Sequence, residues 1–196
     1  LRRYDISSTD NLTSNLFVEG FNGPHYASAN AYAFQGLRET DDPGDTPFVL
    51  PSLEYNWTGQ PDQGGDHYSF DANVLSLYRS DGQDTLRLSL SGAWERPLIT
   101  NGGSIINFSA LLRGDGYHVS SMPDPSNPGS TKDGLRGRVL TQAAVDWRLP
   151  FVRQEGSVRQ VIEPVAMAIL SPYGGNPTGI PNEDSLSFEF DDTNLL

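Results

Sequence analysis

Five carboxylates lie within ten positions in the sequence IPNEDSLSFEFDDTNLL (180–196), with no Lys, Arg or His among them. They are Glu183, Asp184, Glu189, Asp191 and Asp192. Two carboxylates about 5–10 Å apart can hydrolyse a glycosidic bond, and oxygen-rich loops can bind Ca²⁺ without an EF-hand. NEDS and EFDDTN could supply such ligands. Because SLSFEF (185–190) alternates polar and apolar residues, the segment favours a short strand within an external loop, and Ca²⁺ binding at the loop carboxylates stays an open alternative.

Other catalytic or metal-binding patterns are missing from the sequence. His25, His67 and His118 are scattered, without an HxH or HExxH spacing. The chain has no cysteine, which excludes thiolate chemistry, and it has no G-x-S-x-G nucleophile elbow. The sequence therefore predicts no catalytic residue, no cofactor-binding residue and no metal ligand, and we expect a protein that is not an enzyme.

The charge of the chain limits its partners. Twenty-five acidic and 13 basic residues give a formal net charge of −12. Such a surface repels phosphate backbones, so nucleic acid is not an expected partner. There is no run of 18 apolar residues, but barrel strands cross membranes with alternating residues and need no such run.

Alternation with a period of two is the dominant pattern. In DTLRLSLSGAWER (84–96) the residues Leu86, Leu88, Leu90 and Trp94 share one parity, and polar residues fill the other. Similar patterns predict strands over the ranges 48–59, 66–80, 104–119, 138–151 and 158–170, with weaker ones near 12–21 and 28–37. Strands of soluble proteins usually have about 5–6 residues. These longer runs predict an all-β fold of antiparallel up-and-down strands of the outer-membrane β-barrel type.

The connections differ in length on the two sides of the predicted sheet. Short ones lie near 22–27, 60–65, 100–103 and 153–157, and the others lie near 38–46, 80–84, 121–135 and from 174 onward. Outer-membrane barrels have short periplasmic turns and longer external loops, so we place the short turns in the periplasm. Aromatic residues near strand ends predict a girdle at the membrane boundary: Tyr55, Trp57, Tyr78, Trp94, Tyr117, Trp147, Phe151 and Tyr173.

The polar parity carries charges of both signs. Its candidates for lining a hydrated lumen are Arg87, Glu95, Arg113, Asp115, Asp146, Arg148, Arg159 and Glu163. One interpretation is that these residues pair across strands and fix the register. The other is that they contact a partner or a ligand inside the lumen.

Several segments resemble the C-terminal barrel of the LptD/OstA family of lipopolysaccharide-assembly proteins. These are TPFVLPSLEY (46–55), GAWERPLITNGGSIINFSALLRGDGYHV (92–119), VDWRLPF (145–151), QVIEPVAMAIL (160–170) and IPNEDSLSFEFDDTNLL (180–196). The resemblance covers essentially the whole chain. It implies a translocon that inserts lipopolysaccharide (LPS) into the outer leaflet of the outer membrane of a Gram-negative bacterium. It also implies an LptE-like lipoprotein plug, outer-membrane lipid as surroundings, and a periplasmic LptA-like bridge reached through an N-terminal jelly roll. For the lumen candidates, the resemblance implies contact with this plug protein or guidance of the saccharide through the lumen.

A barrel of this family has about 26 strands, whereas 1–196 would supply about eight or nine. We therefore expect 1–196 to be a partial barrel domain, without the N-terminal jelly roll and the rest of the barrel. Two alternatives remain at this point: a secreted carbohydrate-binding β-sandwich and a β-rich glycan hydrolase.

Overall fold

A computed structural model describes residues 11–38, 41, 44, 46–123 and 130–173. These residues form ten strands. They are β1 (Asn11–Asn22), β2 (His25–Gly36), β3 (Phe48–Thr58), β4 (His67–Tyr78), β5 (Asp84–Ile99), β6 (Ile105–Pro123), β7 (Thr131–Arg148), β8 (Phe151–Glu155), β9 (Val158–Ile162) and β10 (Val165–Leu170). The predicted strand over 185–190 lies outside the described residues.

Eight strands form one antiparallel sheet in the order β1-β2-β3-β4-β5-β6-β7-β10, and β8 and β9 form a separate two-stranded sheet. Consecutive strands from β1 to β7 are neighbours, which is the up-and-down arrangement that the alternating pattern predicts. The predicted all-β antiparallel fold class is therefore confirmed. The described ranges contain no helix with the length and apolar character needed to cross a membrane.

The predicted loop over 121–135 is strand at both of its ends. β6 continues to Pro123 and β7 starts at Thr131, giving strands of 19 and 18 residues. Pairing continues past a register shift between Val119 and Met122, where Ser121 has a φ of 60°. The extra residue of such a bulge lets two long strands stay paired through a segment of low strand propensity. The local composition predicted a loop because it contains no information about pairing with the neighbouring strand.

Two prolines divide the last hairpin. Arg148 pairs with Val165 in the main sheet, and Phe151 pairs with Ile162 in the small one. In both pairs the two residue numbers add up to 313, so β8 and β9 continue the β7–β10 ladder in the same register. Pro150 and Pro164 lie in the break, and Pro164 has no N–H to donate to its ladder partner Leu149. The predicted strands over 138–151 and 158–170 are each interrupted at this point.

The turn of this hairpin is tight. Glu155 pairs with Val158, which leaves Gly156 and Ser157 as a two-residue loop. Gly156 has a φ of 60°, and glycine at the first central position is typical of a type II′ hairpin turn. The predicted short connection over 153–157 is therefore present, and it lies beyond the level at which β5 and β6 turn.

Candidate functional site

Adjacent rows of residues across the sheet have opposite chemical character. One row of directly paired residues runs through seven strands and contains only polar side chains: Glu19, Ser28, Glu54, Asn73, Ser89, Asp115 and Arg138. The next row contains only apolar residues and glycine: Val18, Ala29, Leu53, Val74, Leu88, Gly116 and Gly137. Successive residues of a strand point to opposite sides of the sheet, so we name these two sides the polar face and the apolar face.

Basic side chains follow the same division. Within β1–β6 and residues 135–148 of β7, Arg96 is the only Lys or Arg on the apolar face. The others in those ranges are on the polar face: Arg87, Arg113, Arg136, Arg138 and Arg148. They all come from β5, β6 and β7, so the polar face has an arginine-bearing half. The half formed by β1–β4 has no Lys or Arg within its strands.

Solvent exposure is opposite to that of a water-soluble sheet. On the apolar face Leu88 is 47% exposed, Leu112 is 57% exposed and Val139 is 63% exposed. On the polar face Asp115 is 4% exposed and Val119 is fully buried. Over β4 to β7 the polar face is therefore the more sheltered side, whereas both faces of β1 are exposed.

Asp115 is the centre of the tightest group on the polar face. Arg138, its direct partner on β7, donates from Nε to Oδ2 at 2.6 Å. Arg113 donates from Nε to Oδ1 at 2.9 Å. The Arg138 guanidinium also lies over the Tyr117 ring at 5.8 Å, within range of a cation–π contact. A buried carboxylate is tolerated here because two arginines neutralise it and both of its oxygens accept hydrogen bonds.

The polar network continues towards β3. Asp71 accepts a hydrogen bond from Asn56 Nδ2 at 2.6 Å and one from Ser91 Oγ at 3.3 Å. Asn73 accepts from Arg87 Nη2 at 3.1 Å, and its own amide donates to the carbonyl of Leu53. These bonds join β3, β4 and β5 side chain to side chain, so the polar face presents fixed hydrogen-bonding groups.

Six of the eight predicted lumen residues lie on this polar face: Arg87, Glu95, Arg113, Asp115, Asp146 and Arg148. The other two lie apart from the main sheet. Arg159 is on β9 of the small sheet, and Glu163 is in the interruption beside Pro164. Alternation alone assigned all eight residues to one face, because it does not reveal the break in the strand ladder at Pro150 and Pro164.

The polar-face residues near the short turns make looser contacts. Arg148 donates from Nη2 to Asp146 at 2.9 Å within one strand, and its side chain is 45% exposed. Glu95 lies opposite His67 on one side and Ser109 on the other. A cavity of about 120 Å³ beside Glu95 is lined by the polar residues Asn107, Ser109 and Gln142 and by the apolar residues Ala93, Trp94, Ala110 and Leu111. This end of the face has side chains that can exchange their present partners for a ligand.

Sequence reasoning missed the residue that binds Asp115 most closely. Arg138 is not among the predicted lumen residues, and only the β6–β7 register shows that it faces Asp115. The girdle prediction was wrong for Tyr117, which is 5% exposed and contacts Arg138 on the polar face. Its odd number places it in the same parity as Asp115, which is a signal that the sequence contained.

No group of three or more potential metal ligands occurs within the described ranges. The acidic segment 180–196, with the possible Ca²⁺ ligands in NEDS and EFDDTN, lies outside them.

An up-and-down antiparallel sheet with one apolar and one charged face places the chain in the all-β class. The family model described as LptD, LPS transport system D, matches residues 1–196. The chain therefore belongs to the LptD family. Members of this family are components of LPS transport at the Gram-negative envelope, and the family is not a family of enzymes. A search of curated proteins finds no match.

Proposed function

We propose that this sheet is an arc of an outer-membrane β-barrel that inserts LPS into the outer leaflet. The apolar face contacts lipid, and the polar face lines a hydrated interior. The observation that carries this proposal is the pair of adjacent rows, Glu19 to Arg138 and Val18 to Gly137. In water, so large an exposed apolar surface would promote association. In a bilayer the same arrangement places each face in its preferred environment.

The stagger of the strands supports a barrel. A line of direct partners runs from Gly20 in β1 to Val139 in β7. Gly20 lies two positions before Asn22, the last residue of β1, and Val139 lies nine positions before Arg148, the last residue of β7. The line thus slides by seven residues over six strand-to-strand steps. When the strand ends lie at one level of the membrane, a slide of seven residues at about 3.3 Å each, over six strand spacings of about 4.8 Å, corresponds to a strand tilt of about 40°. Membrane barrels have tilts of about 35–45°.

Tryptophans mark the short-turn end of the apolar face. Trp57 is the next-to-last residue of β3 and Trp147 is the next-to-last residue of β7. Trp94 lies five positions before the end of β5. Indole rings favour the level of the lipid head groups, so this end is at one membrane boundary. We assign it to the periplasmic side, because the short turns are there.

The arginine-bearing half of the polar face suits an anionic amphiphile. Guanidinium groups bind phosphate and carboxylate with paired hydrogen bonds, and LPS carries phosphate. Arg148 and Arg87 are near opposite ends of this half and could receive such groups in sequence. The same face would contact an LptE-like lipoprotein plug in the closed barrel. An LptA-like bridge would deliver LPS from the periplasm through an N-terminal jelly roll.

The carbohydrate-binding sandwich and the glycan hydrolase fit the structure less well. A sandwich packs its apolar face against a second sheet. Here that face is exposed across the described strands.

Photo-crosslinking from neighbouring positions tests the proposal. In the full-length protein, p-benzoylphenylalanine at Ser91 should form adducts with LPS or with the lipoprotein partner, because Ser91 is on the polar face. The same group at Leu90, one residue away on the apolar face, should form adducts with phospholipid. LPS adducts of equal yield from both positions would contradict the proposed two-sided wall.

A further inference from the structure

A groove crosses the apolar face of β4, β5 and β6. It has a volume of about 720 Å³ and continues into a second depression of about 460 Å³ that shares Leu90, Gly114 and Val139. Its walls are mostly aromatic and aliphatic: Trp57, Tyr68, Phe70, Trp94, Leu112 and Val139. Gly92 and Gly114 contribute to its floor, and Gly116 and Gly137 extend the floor into the second depression.

The floor glycines are not required by the backbone. None of the positive-φ glycines is among them, and a Cβ at Gly114 or Gly116 would meet nothing within 4 Å. A glycine inside a strand weakens it, so these positions carry a cost without a conformational reason. Glycine inside a strand often marks a place where a ligand approaches the backbone closely. The open space above Gly114 and Gly116 is therefore available to an occupant.

A charged group stands at the short-turn end of the groove. Trp94, in the wall, donates from Nε1 to Asp66 Oδ1 at 2.8 Å. Arg96 donates from Nη1 to Asp66 Oδ2 at 3.3 Å, with its side chain 48% exposed. Asp62 lies beside them in the same turn. Its backbone N–H donates to the Asp66 carbonyl, and its Oδ1 accepts from the N–H groups of Gly64 and Asp66, which leaves Oδ2 for a ligand. The end of the groove thus presents one cation, the only Lys or Arg on this face in the ranges given above, together with two carboxylates.

We propose that this groove binds one acyl chain of a zwitterionic phospholipid with a primary ammonium head group. Arg96 receives the phosphate, and Asp66 and Asp62 receive the ammonium. Because the local charge is one positive and two negative groups, a purely anionic head group is a poorer match. From Trp94 to Leu88 the groove follows six residues, which is about 20 Å of strand and enough for most of an acyl chain. The inference rests on the proposed function, since it requires a membrane against the apolar face.

Native mass spectrometry of the full-length protein, extracted from nanodiscs of mixed lipids, tests this site. The wild-type protein should retain phosphatidylethanolamine at least threefold over phosphatidylglycerol and phosphatidylcholine. Gly114→Leu should fill the groove without a backbone clash and lower the retained phosphatidylethanolamine at least fivefold. Arg96→Gln should lower it to a similar extent. Gly20→Leu is the matched control, because Gly20 is on the same face, and a Cβ there also meets nothing within 4 Å.

The outcomes separate this inference from the proposed function. A full-length protein that does not enter nanodiscs contradicts the membrane location and both proposals with it. A protein that enters them, while Gly114→Leu retains as much phosphatidylethanolamine as the wild type, overturns the lipid site alone. Preferential retention of phosphatidylglycerol overturns the assignment of Asp62 and Asp66 to an ammonium group.

Discussion

Asp115 on β6 and Arg138 on β7 face each other as direct partners, joined at 2.6 Å with the carboxylate side chain fully buried. Arg113 occupies the second carboxylate oxygen from within the same strand. A shift of the β6–β7 pairing by one residue would send Asp115 to the apolar face. The pair therefore specifies the register of the two longest strands, at the centre of the arginine-bearing half.

We predict that Asp115→Asn destabilises the sheet. The amide keeps the shape of the side chain, but one of its two ends becomes an N–H donor that faces an arginine. Loss of a charge-assisted hydrogen bond costs about 1.5–3 kcal/mol, so the free energy of unfolding should fall by about 2 kcal/mol. Urea unfolding of the full-length protein in phospholipid bilayers measures the change.

Asp146→Asn is the control for Asp115→Asn. Asp146 also pairs with an arginine two positions away on its own strand, Arg148, but the Arg148 side chain is 45% exposed. Within the described part of the chain, Asp146 has no hydrogen bond to an arginine of a neighbouring strand. The expected loss is below about 1 kcal/mol, as for other exposed pairs. Equal losses for both variants would show that Asp115 does not specify the register.

The two faces predict opposite results for one substitution at neighbouring positions. Leu112→Lys puts a charge on the apolar face, and Leu111→Lys puts it on the polar face, where Leu111 pairs with Gln142. In a bilayer, a lysine near the midplane of a lipid-facing surface costs about 2–4 kcal/mol. Leu112→Lys should therefore reduce the amount of folded, heat-modifiable protein in the outer membrane, and Leu111→Lys should reduce it less.

A sheet in water would give the reverse order for these two variants. Leu112 is already 57% exposed, so a lysine there would be tolerated in water, whereas Leu111 is partly buried. Normal membrane levels of Leu112→Lys with loss of Leu111→Lys would contradict the lipid-facing assignment.

The sequence predicted β3, β4 and the start of β5 within two residues, because alternating residues and turns rich in Gly, Pro and Asp act locally. It also placed Arg87, Glu95 and Asp115 on one face, since parity survives as long as a strand is continuous. It did not predict the partners of these residues. Asp115 meets Arg138 across 23 positions, and such a contact depends on the register of two strands that alternation alone leaves open.

We predict that Asp146 and Arg148, at the short-turn end of the polar face, bind a partner or ligand and do not only stabilise the sheet. Arg148→Glu should lower LPS export and retention of the lipoprotein partner, because it places two carboxylates together where an anionic ligand would pass. Exchanging the pair, with Asp146→Arg and Arg148→Asp together, restores the ion pair but moves the cation by two residues.

The exchanged variant distinguishes the two interpretations of Asp146 and Arg148. If they only pair with each other, it should export LPS at the wild-type level. If the position of the cation matters, export should stay reduced while the folded fraction on semi-native gels recovers. Unchanged export and unchanged partner retention in Arg148→Glu would count against any functional role for this end of the face.

Pro164 keeps the β8–β9 hairpin separate from the main sheet. Leu149 donates its N–H to the Pro164 carbonyl at 3.1 Å, but the return bond of this pair is missing because proline has no N–H. Pro164→Thr supplies the donor, and one added bond of about 1 kcal/mol should slow local amide exchange of peptides across 151–162 about fivefold. Mass-spectrometric hydrogen exchange of the full-length protein measures this rate.

Pro150→Thr is the matched control, and it should leave exchange unchanged. Hydrogen-bonded and non-bonded pairs alternate along an antiparallel ladder. Because Leu149 and Pro164 form a bonded pair, Pro150 lies in the following non-bonded pair, and an N–H there would point away from β9. If Pro150→Thr and Pro164→Thr slow exchange equally, the loss of one ladder bond is not what separates the two sheets.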